Sequence, residues 1–126
     1  MLINSIESRT RIIEDLQKLY RFGEWAARRG VEQDCRCIYC DRDFLESFND
    51  YDSWQFDHVH PTSLDGEHSY ENIVVCCKTC NYLKLNYAPT GNTYEERIAD
   101  ARRYIHERRA ERDAELTKIR LLVRET

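Results

Sequence analysis

The sequence predicts an α+β fold in which a two-stranded hairpin and a short helix close around a metal, flanked by an N-terminal helix and a long C-terminal one. Three observations predict it: two Cys-x-x-Cys pairs, strand-like runs between them, and helical periodicity on both sides. At 126 residues the chain suits one compact domain with helical extensions, whose modest core needs a further constraint. Three segments follow: residues 1–30 as the N-terminal helix, 31–92 as the metal-bearing core, and 93–126 as a C-terminal helical extension.

Over residues 6–27 the apolar positions Ile12, Ile13, Leu16, Leu19, Tyr20 and Ala26 recur at three- and four-residue intervals, with Arg9, Glu14, Lys18 and Arg21 between them. This predicts one amphipathic helix, stopped at Gly30. From residue 31 to 52 the composition turns acidic and loop-like around Cys35, Cys37 and Cys40, as in a metal knuckle. Trp54 and Phe56 alternate with Gln55 and Asp57, and Ile73 to Cys76 is β-branched, so the two runs pair across the turn residues Pro61, Asp65 and Gly66. Residues 77–86 read as a short helix that Pro89 and Gly91 bring to an end. Thr93 followed by Glu95 and Glu96 reads as a helix start, and Ile98, Ala101 and Ile105 carry an apolar stripe into the last helix. That stripe fades into Arg and Glu and resumes at Leu116, Ile119, Leu122 and Val123.

A hydrophobic content of 41% with 33% charged residues describes a soluble globular protein, and no stretch approaches the roughly 18 apolar residues of a membrane helix. Glu7, Glu14 and Asp15 interrupt the first 16 residues, which excludes a signal-peptide core and leaves a cytoplasmic location as the expectation. In a reducing compartment six cysteines point to metal rather than disulfides. Cys37 with Cys40 and Cys77 with Cys80 supply four thiolates for a tetrahedral structural Zn²⁺, the 36 intervening residues from Asp41 to Cys76 forming a looped-out hairpin. Cys35 and Cys76, at spacings that chelate poorly, read as packing residues.

The string Asp57-His58 with Pro61 three residues on, Asn72 five before Cys77, and Asn81 directly after Cys80, all between and beside the cysteine pairs, resembles the HNH endonuclease family over roughly residues 35–99. The resemblance implies a ββα-metal, treble-clef-like core and a metal-dependent DNA endonuclease. It implies His58 as the general base, Asp57 and Asn81 as ligands of a Mg²⁺-like cation, and Asn72 as the residue that orients the loop carrying the base. An imidazole suits proton transfer near neutral pH, and two oxygen donors suit Mg²⁺ or Mn²⁺. The family often has a second His where this chain has Asn81, which turns the site further from zinc or nickel. Asp57 and His58 are adjacent, so both can serve one site only where the strand ends or bends.

Lys84, one turn after Asn81, is placed to contact a DNA phosphate; the plainer reading is an exposed lysine. His60 and His68 read as solvent-facing loop residues, His106 as surface, and Trp54 and Phe56 as core. The net charge of −4 opposes nucleic-acid binding, but it is uneven: residues 31–90 hold four Lys/Arg against eleven Asp/Glu, while 1–30 hold six against four and 91–126 nine against eight. DNA binding should therefore be weak without a cation, and salt-dependent. The last helix offers its apolar stripe to a second copy or a protein partner, packing back onto the N-terminal helix being the plainer outcome. The competing function is a non-catalytic zinc-stapled module that binds nucleic acid or protein.

Overall fold

The N-terminal periodicity folds as two helices, not one. The computed structural model describes residues 5–20 and 23–124, with α1 over Ile6–Tyr20 and α2 over Glu24–Glu32. Arg21 lies outside the described residues, as do the side chains of Leu19 and Tyr20. Gly23 takes the extended backbone of an N-cap, and α2 then runs through Gly30 to Glu32, crossing the expected division at residue 30. Gly30 is therefore not a stop signal. A Cβ there would collide with the indole of Trp54, so its absence lets α2 lie directly on the sheet. Leu16 of α1 and Ala26, Ala27 and Val31 of α2 are buried in the core.

Two strands make the sheet, β1 over Trp54–His58 and β2 over Ile73–Cys77, antiparallel with Trp54 opposite Cys77 and His58 opposite Ile73. β2 is buried along its whole length. On its outer side the Gln33 amide accepts from Val75 N at 3.0 Å and donates to Val75 O at 2.9 Å, so a side chain satisfies the strand edge. Phe44 stacks on Trp54 with ring centroids 5.0 Å apart. The loop-like reading of residues 31–52 misses a short helix, α3 over Phe48–Asp52, whose N-cap Ser47 accepts from Asp50 N. Five residues are too few for a periodic signal.

The knuckle turns on left-handed backbone at Asp34, Cys35 and Asp41 and is closed by Cys37 N donating to Arg42 O at 3.0 Å. After β2 the chain enters α4 over Lys78–Lys84 and later α5 over Tyr94–Arg124. Thr93 Oγ1 accepts from Glu96 N at 3.1 Å, the cap that the sequence predicts. Ile98, Ala101 and Ile105 are buried, while Leu116, Ile119, Leu122 and Val123 are exposed. Arg108 with Glu111 and Arg112 with Glu115 pair along this distal half. Among the described residues no helix is long and apolar enough to cross a membrane.

Candidate functional site

Both cysteine pairs converge because one lies in the knuckle and the other spans the end of β2 and the first turn of α4. The sulfurs of Cys37, Cys40, Cys77 and Cys80 all lie within 4.8 Å of one another, and those of Cys40 and Cys77 are 3.7 Å apart. A tetrahedral zinc with Zn–S near 2.3 Å requires sulfur separations of about 3.8 Å, so the cluster fits a structural zinc. Backbone N–H groups already point at the sulfurs, Cys77 N to Cys37 Sγ at 3.3 Å and Cys80 N to Cys77 Sγ at 3.4 Å. Arg109 on α5 donates to Cys80 Sγ at 3.5 Å and places a cation against a cluster that four thiolates make negative. Hydrogen bonding within the cluster, chiefly with Cys37, draws the Cys40 thiol down to about 6. Burial instead raises Cys35 and Cys76, which keeps them as packing thiols, as their spacing predicts.

The second half of α4 faces β1 row against row. Asn81 Nδ2 donates to Gln55 Oε1 at 2.7 Å, and one turn on, Lys84 Nζ lies 3.1 Å from Asp57 Oδ2. The amide nitrogen of Asn81 is thus engaged by Gln55, two residues before Asp57 on β1. Tyr39, inside the first knuckle, donates its hydroxyl to the same Asp57 Oδ2 at 2.7 Å. A carboxylate and an amide carbonyl are hard oxygen donors, the chemistry that suits Mg²⁺ or Mn²⁺.

Lys84 corrects both of its sequence readings. Its side chain is 0% exposed, its ammonium held by Asp57 and by His58 O at 3.1 Å, so it is neither a phosphate contact nor a surface lysine. An ammonium buried this deeply needs a carboxylate partner, and Asp57 is that partner.

Alternation along β1 separates Asp57 from its neighbour. Phe56 and His58 share the other face, with ring centroids 5.8 Å apart, and His58 is the last residue of β1. His58 Nε2 lies 2.9 Å from His68 Nδ1, and the His68 ring packs at 5.1 Å from Trp25 of α2. His68 is exposed in its loop, as expected, and its ring partners are what the sequence reading did not include. His68 and Trp25 went unassigned because they lie ten and 33 residues from His58, at no motif spacing. Burial first, then the nearby His68, lowers the His58 pKa, against the opposing pull of Asp57.

The loop after His58 is stapled by one residue. Asn72 Oδ1 accepts from His60 N at 2.9 Å, while its Nδ2 donates to His60 O at 2.9 Å and Glu67 O at 2.7 Å. Gly66 sits so close to His60 O that no side chain fits there. His60 itself is bound to Leu64 O at 2.8 Å, and His106 is exposed. Phe56, read as core, is 51% exposed, whereas Trp54 is buried as expected.

Comparison with known proteins gives one match: residues 37–86 fit the family model described as HNH endonuclease. That span holds both cysteine pairs and Asp57, His58, Asn72 and Asn81. No curated protein and no solved structure matches the chain.

Proposed function

With residues 37–86 as an HNH endonuclease domain, we propose that the chain is a zinc-stapled, metal-dependent endonuclease that hydrolyses phosphodiester bonds in DNA. What supports it is the placement of the residues: Asp57 and His58 close β1, and Asn81, one residue after the cysteine cluster, bonds Gln55 two residues before Asp57. A Mg²⁺ or Mn²⁺ ion held there by Asp57 and Asn81 would neutralise charge on the scissile phosphate. His58 takes the proton of the attacking water, its ring steadied through Nε2 by His68, which leaves Nδ1 to act as the acceptor. Asn72 contributes by fixing the loop that follows His58. Residues 31–92 act as the catalytic core, with residues 1–30 and 93–126 as helical flanks and the exposed stripe of α5 as a surface for a second copy or a protein partner.

The Asp57–Lys84 ion pair favours the second reading, a zinc-stapled binding module without catalysis, because a neutralised carboxylate is a weaker cation ligand. Plasmid cleavage with and without Mg²⁺ or Mn²⁺ separates the two. Metal-dependent nicking that is lost in His58→Ala and Asp57→Ala supports the nuclease; equal cleavage by parent and His58→Ala overturns it.

A further inference from the structure

Lys84 has no place in the chemistry described above, yet among the described residues it is the one fully buried lysine and sits against the proposed cation ligand. We propose that Lys84 is a positioning residue that sets when the site takes its cation: it holds the donor set near neutrality, so that the metal enters together with the DNA phosphate rather than before it. This rests on the reading of Asp57 and Asn81 as cation ligands.

The argument is one of charge and geometry. Asp57 brings one negative charge, Lys84 cancels it at 3.1 Å, and Asn81 is neutral, so the protein presents oxygen atoms without net charge. A divalent ion entering beside Asp57 comes within a few ångströms of a buried ammonium, where repulsion is weakly screened. A scissile phosphate restores the missing negative charge at that point. Geometry acts in the same direction, because Lys84 and Tyr39 both bind Oδ2 of Asp57 and leave Oδ1 as the oxygen turned to the ion. Tyr39 stands between Cys37 and Cys40, and Lys84 lies four residues after Cys80 on α4, so the two halves of the cysteine cluster each send one side chain to the same carboxylate oxygen. The pairing also accounts for the placement of a lysine in a core that otherwise excludes charge.

The test is Mn²⁺ binding followed by electron paramagnetic resonance on the full zinc-loaded chain, with and without a non-hydrolysable phosphorothioate duplex. The Asp57-dependent site is taken as the difference between parent and Asp57→Asn. The parent should bind Mn²⁺ at least about tenfold more tightly with the duplex than without it. Lys84→Met should bind Mn²⁺ about tenfold more tightly in the free protein, with little further gain from the duplex. Lys84→Gln keeps a donor for Oδ2 but removes the charge, should behave in the same way, and carries the test if the Met variant fails to retain zinc. Weaker or unchanged Mn²⁺ binding in a zinc-loaded Lys84 variant overturns the proposal. A parent that binds no Asp57-dependent Mn²⁺ even with the duplex overturns instead the reading of the cation site on which it rests.

Discussion

The two ends of α4 are of opposite electrostatic design. At its start, Cys77 and Cys80 join Cys37 and Cys40 in a cluster of four sulfurs, partly fed by backbone N–H groups and sheltered by Arg109. At its far end, Lys84 matches the Asp57 carboxylate with an ammonium, and Asn81 bonds Gln55 on the same strand. Four thiolates offer more negative charge than one Zn²⁺ needs, so that ion can be held permanently and act as part of the fold. The Asp57 end offers none in excess. The same seven-residue helix therefore leads out of a closed cysteine cluster and ends on a lysine paired with a single carboxylate, which the proposed function takes as the open site.

Removing the metal from the closed site should have the largest effect. Structural zinc contributes on the order of 10 kcal/mol to small domains of this kind, so strong chelation or Cys80→Ser should abolish the cooperative thermal transition seen by circular dichroism. Retention of that transition in metal-free protein would show that the cysteine end is not the staple the comparison assumes.

The open site predicts loss of rate without loss of fold. His58→Ala should lower DNA cleavage by about 10² to 10⁴ with zinc content unchanged. Asp57→Ala should fall comparably and recover in part at high Mn²⁺, since mass action can offset a lost ligand but not a lost base. Plasmid nicking titrated with metal distinguishes the two patterns, and equal rescue of both variants would erase the difference in roles.

A smaller effect separates two histidines that look alike in sequence. His68 bonds the His58 ring, whereas His60 bonds only its own loop at Leu64 O. His68→Ala should slow cleavage by roughly tenfold, about the contribution of one orienting hydrogen bond, and His60→Ala should change it little. Equal rates for the two variants, measured at saturating metal, would remove His68 from the site.

The smallest effect lies away from both metals. Asp100 on α5 accepts from Tyr87 Oη at 2.6 Å and from Thr90 N at 2.9 Å and pairs with Arg103, the Tyr87 bond being the chief cause of a pKa well below the ordinary carboxylate value. A depressed folded-state pKa gives stability that is fully present above the ordinary value near 4 and lost as pH falls from there through the lower folded-state value. Asp100→Asn should thus cost about 1 kcal/mol at neutral pH, with the gap to the parent closing in acid, as denaturant titrations at several pH values would show. A gap that persists at low pH would assign the loss to packing instead.

Patterns that act through local chemistry were legible in the residues themselves. The spacing of four cysteines specified the cluster, alternation and β-branching specified the two strands, and Thr93 with Glu95 and Glu96 marked the start of α5. Asp57, Asn81 and Asn72 stood out through the resemblance of their arrangement around the cysteines to the HNH pattern, and Asn72 is seen to staple the loop after His58. Tertiary structure decided what depends on approach between distant segments. Gly30 reads as a helix stop until the Trp54 indole, 24 residues away, is seen to need its empty face. His68 reads as a loop residue until the loop folds it onto His58. Lys84 reads as a surface charge because lysine almost always is one, and only the packing of α4 against β1 turns it inward to Asp57. Spacing along the chain encodes which groups share a turn or a knuckle. Which charge is buried against which depends on how the helices pack on the sheet, and that is the property of this protein that the linear pattern leaves open.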